Sequence, residues 1–206
     1  MAIDARAVKA LRERTGAGIM DCKEALVAAG GNMDKAVEVL RKKGIAKADK
    51  KVGRRADQGV AISYVHPGNR IGVLVEVNCE TDFVAKTEDF VRFARDMAMQ
   101  IAATHPLSVS REDIDPAIVE REKEIYTEQA RSLGNKPDEV IEKIVKGKLE
   151  KFYQENCLLE QPFIKDHEKS VQDVLTETIA SLGENITISR FARFEIGENS
   201  SPDGAG

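Results

Sequence analysis

Residues Gln58–Cys79 read QGVAISYVHPGNRIGVLVEVNC, and the two-residue period of this stretch decides the fold. Val60, Ile62 and Tyr64 fall on one face of the first half, and Ile71, Val73, Val75 and Val77 on one face of the second. Between them lies His66-Pro67-Gly68-Asn69-Arg70, a segment with turn chemistry. Two β-branched runs joined by a Pro-Gly-Asn turn predict an antiparallel hairpin. Far downstream, Ile186–Ile196 (ITISRFARFEI) alternates again and is expected to add a third strand to the same sheet. A sheet this short leaves open edges, which invite pairing with a second copy.

Around the hairpin the period changes from two to about 3.6. Glu88–Thr104 carries Phe90, Phe93, Ala94, Met97, Ala98 and Ile101 on one side, the pattern of a helix packed on a sheet. Asp115-Pro116 opens a polar helix to Ser132, and Pro137 opens another to Asn156 with the stripe Ile141, Ile144, Val145, Leu149 and Phe152. A break follows at Gln161-Pro162, then a helix over Val171–Leu182 that Gly183 ends. Strands and helices in this order predict an α+β domain over residues 58–197 rather than alternating βαβ units.

Upstream, residues 1–45 read as three short helices. Val8 and Leu11 mark the first, broken by Thr15-Gly16-Ala17-Gly18; Cys22, Leu26 and Ala29 mark the second, closed by Gly30-Gly31. Asn32 caps a third carrying Ala36, Val37 and Leu40, with Gly44 as its expected stop. The join, residues 46–57, is rich in charge: KADKKVGRRAD (Lys47–Asp57) holds five basic and two acidic residues. It reads either as a solvated linker or as an RNA-contacting patch resting on Lys50, Lys51, Arg54 and Arg55. Residues 198–206 (ENSSPDGAG) read as a disordered tail.

Composition narrows the function. The 206 residues carry 31 Lys+Arg against 35 Asp+Glu, a net charge of −4, with aromatics at 5% and no Trp, a poor footprint for nucleic-acid binding. No apolar run reaches the ~20 residues a bilayer helix needs, and the start lacks a signal-peptide core, so a soluble, cytoplasmic protein is expected. Cys22, Cys79 and Cys157 are too scattered for a zinc or redox motif. His66, His105 and His167 share no metal spacing. Phosphate-loop, dinucleotide, nucleophile-elbow and zinc-protease motifs are all missing, so neither enzyme activity nor a cofactor is expected. A protein partner or a small molecule is left.

One segment resists a purely architectural reading: Cys79-Glu80-Thr81-Asp82-Phe83-Val84-Ala85-Lys86. Thr81 and Asp82 are N-cap types, so it can be a plain strand-to-helix connection with Phe83 turned into the core. Alternatively Phe83 stands exposed at a stiff corner beside an acid, the shape of an aromatic interface anchor.

At these residues the chain closely resembles the elongation factor Ts family, bacterial guanine-nucleotide exchange factors for elongation factor Tu. The resemblance rests on Val8–Leu26 (VKALRERTGAGIMDCKEAL), Val73–Ala85 (VLVEVNCETDFVA), Glu160-Gln161-Pro162-Phe163 and Arg193-Phe194-Glu195. It implies a ubiquitin-associated-like bundle at the amino terminus. It further implies that Thr81, Asp82, Phe83 and Val84 press into the nucleotide domain of elongation factor Tu, with Phe83 as a wedge that displaces Mg²⁺ and loosens GDP. Arg12, Ile19 and Met20 are implied as contacts from the bundle. At this length the chain resembles the family's short form, whose single core forms a homodimer. Some short members carry a bridging cysteine in the last strand; Ala192 stands at the matching position here, so pairing must rest on noncovalent burial.

Overall fold

A computed structural model describes residues 4–132, 134 and 137–198. Apart from Glu198, the tail expected to be disordered lies outside the described residues. The fold is α+β: an amino-terminal helical region, then a small antiparallel sheet packed with helices.

The first three helices are α1 (Ala5–Thr15), α2 (Ile19–Ala28) and α3 (Met33–Asp49). Asp4 caps α1 by accepting the Arg6 N–H at 3.0 Å, and Asn32 caps α3 by accepting the Lys35 N–H at 2.9 Å. Gly16 ends α1 in the left-handed region at φ 67°, a conformation that costs glycine little. Leu11, Cys22, Ala25, Leu26 and Ala36 are buried together as the bundle's core. One expectation fails here. Gly44 does not stop α3, which runs on to Asp49. A Cβ at Gly44 would lie 3.5 Å from the Ala180 side chain, so this glycine marks a close helix approach, and packing overrides its weak helix propensity.

Strands β1 (Gln58–Val65) and β2 (Ile71–Cys79) form the expected hairpin. Strand β5 (Ile186–Glu195) joins it as foreseen, in the order β1-β2-β5. In β2 the odd-numbered residues Val73, Val75, Val77 and Cys79 are all buried. After β2 come α4 (Asp82–Ala85) and α5 (Glu88–Thr104), whose Phe90, Phe93, Ala94, Met97, Ala98 and Ile101 stripe is buried throughout. Helices α6 (Pro116–Ser132) and α7 (Asp138–Asn156) pack through Tyr126, Ala130, Ile141 and Val145. The Asp115 carboxylate accepts the Ala117 N–H at 2.8 Å, the capping foreseen for α6.

The Gln161-Pro162 break turns out to open a second hairpin, β3 (Pro162–Phe163) with β4 (Asp166–Ser170). Its short strands lack a β-branched run, so no two-residue period announces them. They are held by the buried amide of Gln100, which donates to the Pro162 carbonyl at 3.1 Å and accepts the Ile164 N–H at 2.8 Å. Helix α8 (Val171–Leu182) follows and ends at Gly183, φ 75°. The described residues divide into two compact units. One comprises residues 4–60, 77–93 and 173–187; the other comprises 61–76, the described part of 94–172, and 188–198.

Candidate functional site: a braced corner between strand and helix

The corner is built within the first unit. Strand β2 ends at Cys79, whose buried Sγ–H donates to the Thr81 carbonyl at 3.1 Å. Burial first, and the Glu184 charge second, push the Cys79 thiol above its ordinary value, so it stays protonated and is no nucleophile at neutral pH. Thr81, extended at φ −128°, ψ 154°, is the N-cap of α4 and accepts the Val84 N–H through Oγ1 at 3.4 Å. The Ala85 N–H returns to the Thr81 carbonyl at 3.2 Å, and Thr87 then caps α5 by accepting the Phe90 N–H at 3.3 Å. The chain therefore turns from strand to one helical turn to a long helix, with a side-chain oxygen capping each start.

Two carboxylates brace this turn from sequence positions more than a hundred residues apart or adjacent to it. Glu184 Oε2 accepts the Thr81 N–H at 3.0 Å, and Glu184 Oε1 accepts the Thr81 hydroxyl at 2.6 Å. In return Glu80 Oε1 accepts the Asn185 N–H at 2.7 Å. The Arg54 guanidinium lies 3.6 Å from Glu80, and the Arg54 carbonyl accepts from buried Asn185 Nδ2 at 2.7 Å. Hydrogen bonds to ionised acceptors are the stronger kind. Sequence reading gave no sign of Glu184, Asn185, Glu80 or Arg54 in these roles; the only local cue is that Glu184 follows the helix-stopping Gly183.

On this frame Phe83 points outward, 80% exposed, so the alternative that buries it in the core does not hold. Asp82 is exposed too and pairs with Lys86 Nζ at 2.6 Å, which holds its carboxyl below the usual range. Thr81 and Val84 are half-buried. Of the bundle residues, Arg12 is exposed on α1, and Ile19 and Met20 are 55% and 64% exposed at the start of α2. These residues and the corner belong to the same compact unit. Val27, also exposed, lies two turns beyond Met20 on the same helix face, a residue the sequence reading did not single out.

Among the described residues no group of three His, Cys, Asp or Glu side chains is arranged to hold a metal ion, and no helix is long and apolar enough to cross a membrane. What the corner presents is an uncovered aromatic ring and a carboxylate on a rigid mount, suited to contact with another macromolecule.

Comparison with known proteins gives this surface a context. The family profile described as Elongation factor TS matches residues 17–198. Elongation factor Ts of Thermoanaerobacter sp. (strain X514) is 60% identical over 196 residues, which cover 95% of this chain and 96% of that protein. The elongation factor Ts proteins of Syntrophomonas wolfei and Geotalea daltonii are 61% and 58% identical, covering 95% and 96% of this chain and 91% of each relative. The class is that of the translation elongation factors. Within it, the chain belongs to the elongation factor Ts family.

Proposed function

We propose that this chain is the guanine-nucleotide exchange factor of elongation factor Tu. Phe83 enters the nucleotide domain of the GDP-bound partner as a wedge, with Asp82 as its polar companion and Thr81 and Val84 shaping the corner's base. Mg²⁺ is dislodged from the partner, GDP loses much of its hold, and GTP takes its place. Arg12, Ile19 and Met20 add a second contact from the bundle. The single observation that supports this best is the 80% exposure of Phe83 on a mount whose backbone is fixed by Glu184.

Exchange of this kind is a coupling free energy: the factor weakens GDP binding by the same ratio by which GDP weakens factor binding. No bond is made or broken, so the role requires no general acid, base or nucleophile. The test is release of labelled GDP from elongation factor Tu, with and without the chain. Faster release in its presence supports the assignment; unchanged release at saturating concentration contradicts it.

The same reading includes a homodimer formed through the core. Strand β5 lies at one edge of the sheet, and Phe194 and Ile196 at its end are 72% and 61% exposed. With Val65 and Ile71 they line a shallow groove of about 310 Å³. An open edge beside uncovered apolar side chains supports pairing with a second copy. All three cysteines are buried, so such pairing is noncovalent.

A further inference from the structure

The reciprocal carboxylate brace at the corner has features that a mere strand-to-helix joint does not need. An N-cap threonine ordinarily leaves its backbone N–H and hydroxyl proton to solvent or local partners. Here both donors of Thr81 go to one carboxylate, Glu184, which stands two residues past the end of α8. Two residues before Phe83, then, backbone and side chain are tied at once to an element 103 positions away in sequence. The neighbouring pair repeats the arrangement with the direction reversed, Glu80 accepting from the Asn185 backbone. Adjacent residues on each segment thus clamp adjacent residues on the other. The clamp leaves the ring uncovered: Phe83 stays 80% exposed.

We propose that Glu184 is a positioning residue for nucleotide exchange: by holding the Thr81 N–H and hydroxyl together it fixes the start of α4 and presents Phe83 in its inserting orientation before the partner arrives. This rests on the wedge reading above and adds a residue that acts through Thr81. A ring held in place loses little freedom on insertion, whereas a ring on a loosened turn must be ordered at that moment, which weakens the step. The effect belongs to insertion and not to first docking, because the bundle residues Ile19 and Met20 are carried on α2, outside the clamp.

The experiment compares Glu184→Gln, Thr81→Val, the double variant and Phe83→Ala in stopped-flow release of labelled GDP from elongation factor Tu, titrated in each factor. Glutamine keeps the size of Glu184 but sets an amide N–H₂ against one of the two Thr81 donors. The expected result for Glu184→Gln is a maximal release rate lowered about tenfold, with the half-saturating concentration changed less than about threefold. The double variant loses no more than the worse single variant, since both break one unit. A second readout needs no partner: amide hydrogen exchange at Thr81 and Val84 speeds up in Glu184→Gln while the bundle's amides keep their protection. Should Glu184→Gln not fold, Glu184→Asp, which keeps the charge but shortens the reach to Thr81, carries the same two measurements. A Glu184→Gln protein with normal maximal rate overturns the positioning role, provided Phe83→Ala is impaired. Normal release by Phe83→Ala instead overturns the wedge itself, so the two failures are told apart. Fully additive losses in the double variant also count against the clamp.

Discussion

An exposed phenyl ring forgoes the roughly 1.5–3 kcal/mol that burying such a side chain contributes, and the chain buries Phe90, Phe93, Phe152 and Phe163 without difficulty. Among the large apolar side chains of the corner Phe83 is the one left uncovered, at 80%. Covering it with a partner recovers that term, which is why large exposed aromatics serve as interface anchors. A different single residue governs how the hairpin is built. Gly59 sits at φ 149°, and a Cβ there would come within 2.2 Å of the Val77 carbonyl oxygen. Gly59→Ala must shift backbone on the neighbouring strand, so a loss of more than about 2 kcal/mol in denaturant-unfolding stability is expected; a loss below about 0.5 kcal/mol would mean the strand accommodates it freely. Gly59's role was not legible beforehand, and that of Phe83 only in part: residue chemistry left it open between core and surface, and only the family resemblance pointed outward. Phe83 stands between N-cap residues and an apolar helix, a context equally suited to core and surface, and the choice is made by Glu184 and Asn185 from the far end of the chain. Gly59 needs the register of β2 to explain it.

At the level of elements, period did most of the work. The hairpin, the α5 stripe, the α6–α7 pair and the added third strand were readable because each has a long run of one period and a residue-specific start or stop. The β3–β4 hairpin was missed because its pairing depends on Gln100, a buried polar side chain from a distant helix. Helix α3 outran its expected end because tertiary contact at Ala180 outweighs the glycine. Ion pairs tie α3 to α2: Lys43 and Lys47 lie 2.7 and 2.8 Å from the two oxygens of Asp21. Hydrogen bonds from Lys43 and then Lys47 hold the Asp21 carboxyl below its ordinary 3.8. A depressed native value means the pairing contributes fully above the unfolded value and is lost as pH falls through the native one. The expected outcome is that Asp21→Asn lowers the melting temperature at pH 7 and flattens its decline between about pH 5 and pH 3 relative to the parent. Parallel declines in the two proteins would show that Asp21 contributes nothing to acid sensitivity. Because the Asp21 side chain is 27% exposed, solvent screening keeps the effect modest.

For the whole molecule, the proposed arrangement is a pair of chains. Among the described residues β5 lies at one edge of the sheet, with Phe194 near its end and Ile196 just past it uncovered, and Arg190 is the exposed charged side chain the strand carries there. Light scattering of the free protein is expected to give the mass of two chains, and Phe194→Glu to give that of one at the same concentration. A monomeric parent, or a variant that still pairs, would move the interface elsewhere or remove it. The central claim concerns exchange itself, and stopped-flow release of labelled GDP from elongation factor Tu by Phe83→Ala meets it most directly. Truncating an anchor of this type costs on the order of 2 kcal/mol, so a fall of about thirtyfold in the accelerated rate is expected, with circular dichroism unchanged. Undiminished acceleration by that variant would contradict the wedge.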